Sequence, residues 1–353
     1  MPIPEDNNID TRAMGRIFQR TTAAYKFYWF IGLLHLSQHK ARFSAWEIVA
    51  EMVANAWYPV CYFHLSLGKI ESLYDAILSI QKERNIPINT TTTELSKWLN
   101  ENMSDPFVKS TLRVLLNNVP YRFLNPWIPT NDDDEMVRRS QEFENNCLYR
   151  IVWEEDEMFI ELNSKWIEYL RENYTILLDF AYWNLAQYIQ KRNVNVPNIP
   201  SKLVSPRSRE SLARQHDYWD FVISHGGSIR CIYTGKLIKE GDYELDHFMP
   251  WSFVCHDLVW NLLPADSGIN SSKSNKLPPL DKYLRQLAEA QQWAVNVALD
   301  GGFNGSVLDD YYSLGTTPQE LADMSAENLY DCFGRTYAPM CQIAQNMGFE
   351  MWK

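Results

Sequence analysis

The chain has 353 residues, 46% of them hydrophobic and 14% aromatic, which is ample for two or three domains with real cores and excludes a disordered protein. Its formal net charge of −11 argues against a general nucleic-acid coating protein, which needs Lys and Arg to neutralise phosphates. The longest apolar run, Phe27 to Leu36, is too short to span a bilayer and contains His35, so no membrane partner is expected.

Met1 to Asn8 is proline-rich and acidic where a secretory leader would be basic and then apolar. Helical spacing begins at Asp10 and predicts a helix to about Gln38. On such a helix Arg12, Arg16 and Arg20 recur every four residues and form one basic stripe, a candidate contact for a DNA backbone or simply a solvated face. From Thr11 to Phe43 there is no acidic residue at all. Ser44-Ala45-Trp46-Glu47 reads as a capping box opening a second helix that runs to about Ser66 and stops at Gly68. Further helices are predicted over Ile70 to Arg84, Thr93 to Asn102 with Thr92 as cap, and Asp105 to Asn118.

Pro120, Pro126 and Pro129 make the next stretch irregular. Leu148 to Trp153 and Met158 to Leu162, joined by the acidic turn Glu154 to Glu157, predict a β-hairpin. A long aromatic helix follows from Ser164 to about Arg192. Val194 to Pro200, with two prolines and two asparagines, is the domain boundary. Beyond it a helix is expected from Ser208 to about Ser224, another over Leu280 to Leu299, a third opened by Thr317-Pro318-Gln319-Glu320, and a last one after Gly334. The six cysteines, at 61, 147, 231, 255, 332 and 341, form no CxxC pair, which predicts reduced thiols in a cytoplasmic protein.

The chemistry concentrates between Arg230 and Lys276. Arg230 to Tyr233 and Tyr243 to His247 are two short strands, most simply a hairpin around the glycine-bearing loop Thr234 to Asp242. Phe248 to Val259 reads as a loop. The chain returns through Val259 to Leu263, and Asp266 or Ser267 then caps a short helix carrying Asn270, Lys273 and Ser274. Asp246 sets a hard oxygen ligand beside His247, the side-chain type that accepts a proton near neutral pH. Neighbours on a strand point to opposite faces, so the two converge on one site only if the strand ends or bulges there, as Pro250 allows. Asn275 and Lys276 compete with Asn270 and Lys273 for the same roles. Cys255-His256 is more simply a loop than a metal site. Charge between Ser201 and Lys276 is balanced, nine basic residues against nine acidic, so the segment is poorly equipped to capture nucleic acid unaided.

At these residues the sequence resembles the HNH endonuclease family, in detail the HNH domain of type II RNA-guided CRISPR effectors. The resemblance rests on Cys-Ile-Tyr-Thr-Gly-Lys at 231–236, Glu-Leu-Asp-His-Phe-Met-Pro-Trp-Ser-Phe at 244–253, and Trp-Asn-Leu-Leu-Pro at 260–264, with Asn270 nine residues after Asn261. It covers about one eighth of the chain. Carried over, it implies His247 as general base, with a reference pKa of about 6.5 suited to that task. It further implies Asp246 and Asn270 as ligands of one Mg²⁺ or Mn²⁺, Asn261 as the asparagine that ties the loop to the strand and orients the base, and Lys273 against the scissile phosphate. Two departures follow. Cys231 has no partner in a CxxC pair, so no structural zinc is expected, and the rest of the chain shows neither an arginine-rich bridge nor a second nuclease domain, so a stand-alone HNH protein is expected.

The expected fold is mainly α, with a small ββα-metal (HNH) nuclease domain and a short β-hairpin in the N-terminal part. Residues 1–193 form a helical recognition or regulatory domain, 194–207 a linker, and 208–353 the nuclease domain with core 230–276 and C-terminal helices. The expected function is metal-dependent cleavage of DNA, by analogy as a bacterial defence or restriction effector. The alternatives are a subunit that binds nucleic acid or a protein partner and cuts only within a larger assembly, and an HNH enzyme that cleaves RNA.

Overall fold

The computed structural model describes residues 2–7, 9–68, 72–204 and 211–353. The expected helix starts at Ile70 and Ser208, and the last residues of the expected linker, lie outside these. The chain divides into two compact units, the first holding 2–194 and 199–204 and the second 195–198 and 211–353.

In the first unit the order is α1 (Tyr25–Ser37), β1 (Arg42–Ser44), α2 (Ala45–Trp57), α3 (Ser72–Arg84), α4 (Thr92–Glu101), α5 (Pro106–Leu112), α6 (Val119–Arg122), α7 (Asp133–Gln141), β2 (Tyr149–Glu154), β3 (Glu157–Leu162), α8 (Ser164–Glu172) and α9 (Tyr174–Gln190). The Ser44 capping box forms as read, Trp46 N–H donating to Ser44 Oγ at 3.2 Å and Ser44 N–H to Glu47 Oε2 at 2.9 Å. The hairpin forms too, with Ile151 opposite Ile160. It gains a third strand, since Phe43 of β1 also pairs with Ile160 and makes the order β1-β3-β2.

Several expected helices are shorter, each for a local reason. The predicted helix over 10–38 is only a 3-10 turn at Met14–Arg16 and then α1. Asp10 Oδ1 accepts the Arg12 backbone N–H at 3.0 Å, and Thr21 Oγ1 donates to the Phe18 carbonyl at 2.9 Å. Both are side-chain bonds that compete with helix propagation. Arg12, Arg16 and Arg20 therefore do not form one helical stripe. The helix expected to run to Ser66 gives way at Trp57 to a π-turn holding Pro59. The expected 105–118 helix passes into a 3-10 turn at Arg113–Leu116, and the long 164–192 helix breaks at Asn173, whose side chain donates to the Tyr169 carbonyl at 3.0 Å.

The second unit runs α10 (Ala213–Gly226), β4 (Ile229–Arg230), β5 (Leu237–Ile238), β6 (Glu244–His247), α11 (Trp251–Val254), β7 (Leu262–Ala265), α12 (Ser267–Lys273), α13 (Leu280–Asp300), α14 (Pro318–Ala322) and α15 (Ala326–Asn346). The hairpin expected between 230–233 and 243–247 is corrected. Arg230 pairs instead with Leu237, around a tight turn in which Gly235 takes φ +71°, and β6 pairs antiparallel with β7. The stretch read as a loop after Phe248 contains α11. The last helix begins eight residues before Gly334, capped by Ser325, and runs through that glycine.

The core of this unit explains why the site segment has its shape. Tyr218 and Trp219 of α10, Leu262 and Leu263 of β7, Leu287 and Val295 of α13, and Phe333 and Tyr337 of α15 are all essentially buried and form one cluster. Burying each such side chain contributes about 1.5–3 kcal/mol before entropy is counted. Polar hooks from the same helices fix the backbone beside the site. Gln291 Nε2 donates to the Val259 and Leu262 carbonyls at 3.1 and 2.8 Å, and Tyr337 Oη donates to the Trp260 carbonyl at 3.0 Å.

Candidate active site

β6 ends at His247, and its alternation decides who meets whom. Glu244 and Asp246 share one face, and α12 lies along it: Asn270 Nδ2 donates to Glu244 Oε2 at 2.9 Å, and Lys273 Nζ donates to Asp246 Oδ1 at 3.1 Å. Asp266 caps α12 as the sequence predicts, accepting the Gly268 N–H at 3.3 Å.

Asp246 and Lys273 form a buried ion pair, their side chains 2% and 0% exposed. The second carboxylate oxygen accepts from Tyr233 Oη at 2.7 Å. The ammonium also donates to the His247 carbonyl. Burial lowers the Lys273 pKa and the Asp246 charge opposes that effect. Burial and the same carboxylate raise the Tyr233 phenol well above its ordinary value, so it stays a donor. Lys273, expected against the scissile phosphate, is instead a fully buried partner of the carboxylate beneath it.

His247 has a separate partner. Its Nε2 lies 2.7 Å from Asp257 Oδ1, with the two side chains 11% and 19% exposed. An ionised carboxylate only accepts, so the hydrogen sits on Nε2 and the neutral ring keeps its lone pair on Nδ1. Asp257 is itself anchored, because Gln215 of α10 donates to its carbonyl at 2.7 Å. Asn261 is completely buried, and both ends of its amide are used on one residue: Met249 N–H donates to Oδ1 at 2.9 Å and Nδ2 donates to the Met249 carbonyl at 3.0 Å. It clamps the backbone two residues beyond His247 and offers no free atom for a substrate.

The competing pair sits elsewhere, Asn275 accepting from Ser252 Oγ at 3.2 Å. Cys255 is buried with φ +51°, and the His256 ring packs against Trp260 with centroids 5.3 Å apart. Arg12, Arg16 and Arg20 belong to the first unit, and Arg12 is engaged by Asp10 at 2.7 Å.

The donors near β6 fit a hard divalent cation by type. Glu244, Asp246 and Asn270 offer oxygen only, and Asp246 already holds a cation, the Lys273 ammonium. Among the described residues no three His, Cys, Asp or Glu side chains are grouped to hold a metal. A hard cation held by one or two carboxylates and completed by water and phosphate needs no such cage.

The segment thus combines a strand ending in Asp-His, a partner strand and a short helix bearing an asparagine. Residues 231–279 match the family described as HNH endonuclease. HNH nucleases are generally metal-dependent and act on nucleic acid. Neither a curated protein nor a solved structure matches the chain.

Two residues of the site escaped the sequence. Asp257 lies ten residues after His247 in a stretch with no periodic pattern, and the only signal was an acid between the Asp-His pair and Asn261. Tyr233 stood within the matched Cys-Ile-Tyr-Thr run, but nothing in the sequence aims its hydroxyl at Asp246.

Proposed function

We propose that the chain is a metal-dependent endonuclease hydrolysing DNA phosphodiester bonds, with His247 as the general base. The observation that carries this reading is the family match at 231–279 falling on a segment that places Asp246, His247 and Asn270 on one strand end and the helix beside it.

His247 Nδ1 takes the proton from the attacking water, while Asp257 accepts the Nε2 hydrogen, holds the ring in that tautomer and stabilises the imidazolium that forms. Asn261 and Gln215 fix the two backbone segments that carry this pair. Asp246 and Asn270 would hold one Mg²⁺ or Mn²⁺, which would supply charge stabilisation on the phosphoryl oxygens and the leaving 3′ oxygen. Lys273 and Tyr233 each donate to the Asp246 carboxylate and orient it. A role in bacterial defence or restriction follows by analogy alone.

Incubating the protein with supercoiled plasmid and Mg²⁺ or Mn²⁺ tests the reading. Nicked or linear product that vanishes with EDTA is expected, and an intact plasmid with both metals contradicts it.

A second reading has an observation of its own. In the isolated chain the Lys273 ammonium already neutralises Asp246, which favours a resting form that cuts only within a larger assembly. Prompt cleavage by the protein alone removes that reading.

A further inference from the structure

The first unit carries a cation-lined cleft that the nuclease chemistry does not use. A cavity of about 950 Å³ opens between the segment 16–26 and the turn following α6, lined by Arg16, Arg20, Thr22, Lys26, Arg122 and Asn125. Arg122 comes from far along the chain, so no sequence pattern joined it to the arginines.

Among the described residues the charge in this cleft is only partly compensated. Arg122 is paired, its Nη1 lying 2.7 Å from Asp133 Oδ1 and its Nη2 donating to the Asn131 carbonyl at 2.8 Å. Arg16, Arg20 and Lys26 make no ion pair among the described residues, and the Lys26 ammonium reaches only the Arg20 carbonyl, at 3.4 Å. Burial and the neighbouring Arg122 charge push the Lys26 pKa below its ordinary value. Cations held together in this way repel, and a bound anion relieves that repulsion.

Two further features select the anion. α1 begins at the same place: its first turn has no acid, and Tyr25 and Lys26 line the adjoining part of the cleft. The positive end of a 13-residue helix thus adds to the side-chain charge. Guanidinium forks match the oxygens of a phosphate better than those of a halide or a lone carboxylate. The Asn125 carboxamide oxygen is buried without a hydrogen-bond partner, an acceptor suited to a sugar hydroxyl or a base N–H rather than to bare phosphate. The volume lies within the range of sites that enclose a nucleotide-sized ligand.

We propose that this cleft binds a phosphate ester bearing a nucleoside, either a unit of a nucleic-acid strand or a free nucleotide. The site belongs to the first unit and stands independently of the HNH reading. Its test therefore uses the full chain in EDTA with the His247→Ala substitution throughout, so that loss of cleavage and loss of binding are separate results.

Fluorescence anisotropy of labelled short single-stranded DNA, duplex DNA and RNA gives the affinity and its salt dependence, and competition with a nucleoside monophosphate and with inorganic phosphate separates the sources. The Arg16→Ala/Arg20→Ala double variant should weaken binding about tenfold or more and flatten the slope of log K against log salt by roughly 1 for each phosphate contact removed. Arg12→Ala should bind as the parent does, because its guanidinium is already engaged by Asp10. Competition by the monophosphate assigns the cleft to a free nucleotide, and binding of oligonucleotides without such competition assigns it to a strand. Absence of any binding, an unchanged double variant, or an equal loss with Arg12→Ala overturns the proposal.

Discussion

Lys273→Met is the most informative single change in the second unit. The substitution keeps most of the side-chain volume but removes an ammonium whose side chain is 0% exposed, leaving the Asp246 carboxylate, 2% exposed, with Tyr233 Oη as its remaining partner. Breaking a buried pair from one side costs about 3–5 kcal/mol, because the charge left behind has lost its water and gained nothing. For a unit of this size each kcal/mol moves the melting midpoint by about 2–4 °C, so the transition should fall by about 6–20 °C. Calorimetry of the full chain reads it. Asp246→Asn in the same chain removes the orphaned charge and should return much of the loss, a coupling on the order of 0.5–3 kcal/mol in a double-mutant cycle. A Lys273→Met protein within about 0.5 kcal/mol of the parent would refute the reasoning. It would mean that the ammonium is hydrated and free to meet a phosphate, as the sequence had suggested.

Asn261→Ala should destabilise the same unit by about 1–3 kcal/mol, since it strands the Met249 N–H and carbonyl in the core, and an unchanged denaturation midpoint would contradict the clamp. Asp257→Asn should lower kcat while leaving KM unchanged, with partial recovery in Asp257→Glu; equal losses in all variants, or a change in KM alone, would remove Asp257 from the path of the proton. Exhaustive chelation should abolish cleavage and readdition of Mg²⁺ or Mn²⁺ restore it, and activity surviving in EDTA would contradict a hard divalent cation at Asp246 and Asn270.

Local chemistry was legible at several helix starts, although α4 is capped by Thr91 rather than by the expected Thr92. Ser44 with Glu47, Thr317 with Glu320, and Asp266 before α12 all cap helices as read, because each signal and its target lie within one turn. The 148–162 hairpin was legible for the same reason. Pairing across longer distances was not. Nothing in Phe43 announces Ile160 as its neighbour, and the match of Glu244–His247 with Leu262–Ala265, rather than with 230–233, is settled by a tight turn at Gly235 that closes the first two strands on each other.

The candidate site divides in the same manner. Asp246, His247 and Asn270 were visible as an ordered set, whereas the partners that hold them in place are fixed by the tertiary packing: Asp257 through α10, Tyr233 through the β4–β5 turn, and the burial of Lys273 beneath β6. The basic residues of the N-terminal segment were visible as charge but not as geometry. Their grouping depends on Asp10 and Thr21 turning the chain away from a helix and on Arg122 arriving from α6.

The central claim is that His247 removes the proton from water at this site. Single-turnover cleavage of an end-labelled duplex, with protein in excess and Mn²⁺ present, measures that step directly for the parent and for His247→Ala, with circular dichroism establishing that the variant is folded. The account predicts a folded variant slower by about 10²–10⁴-fold, the span of a lost general base. A folded variant that cuts at the parent rate would contradict it.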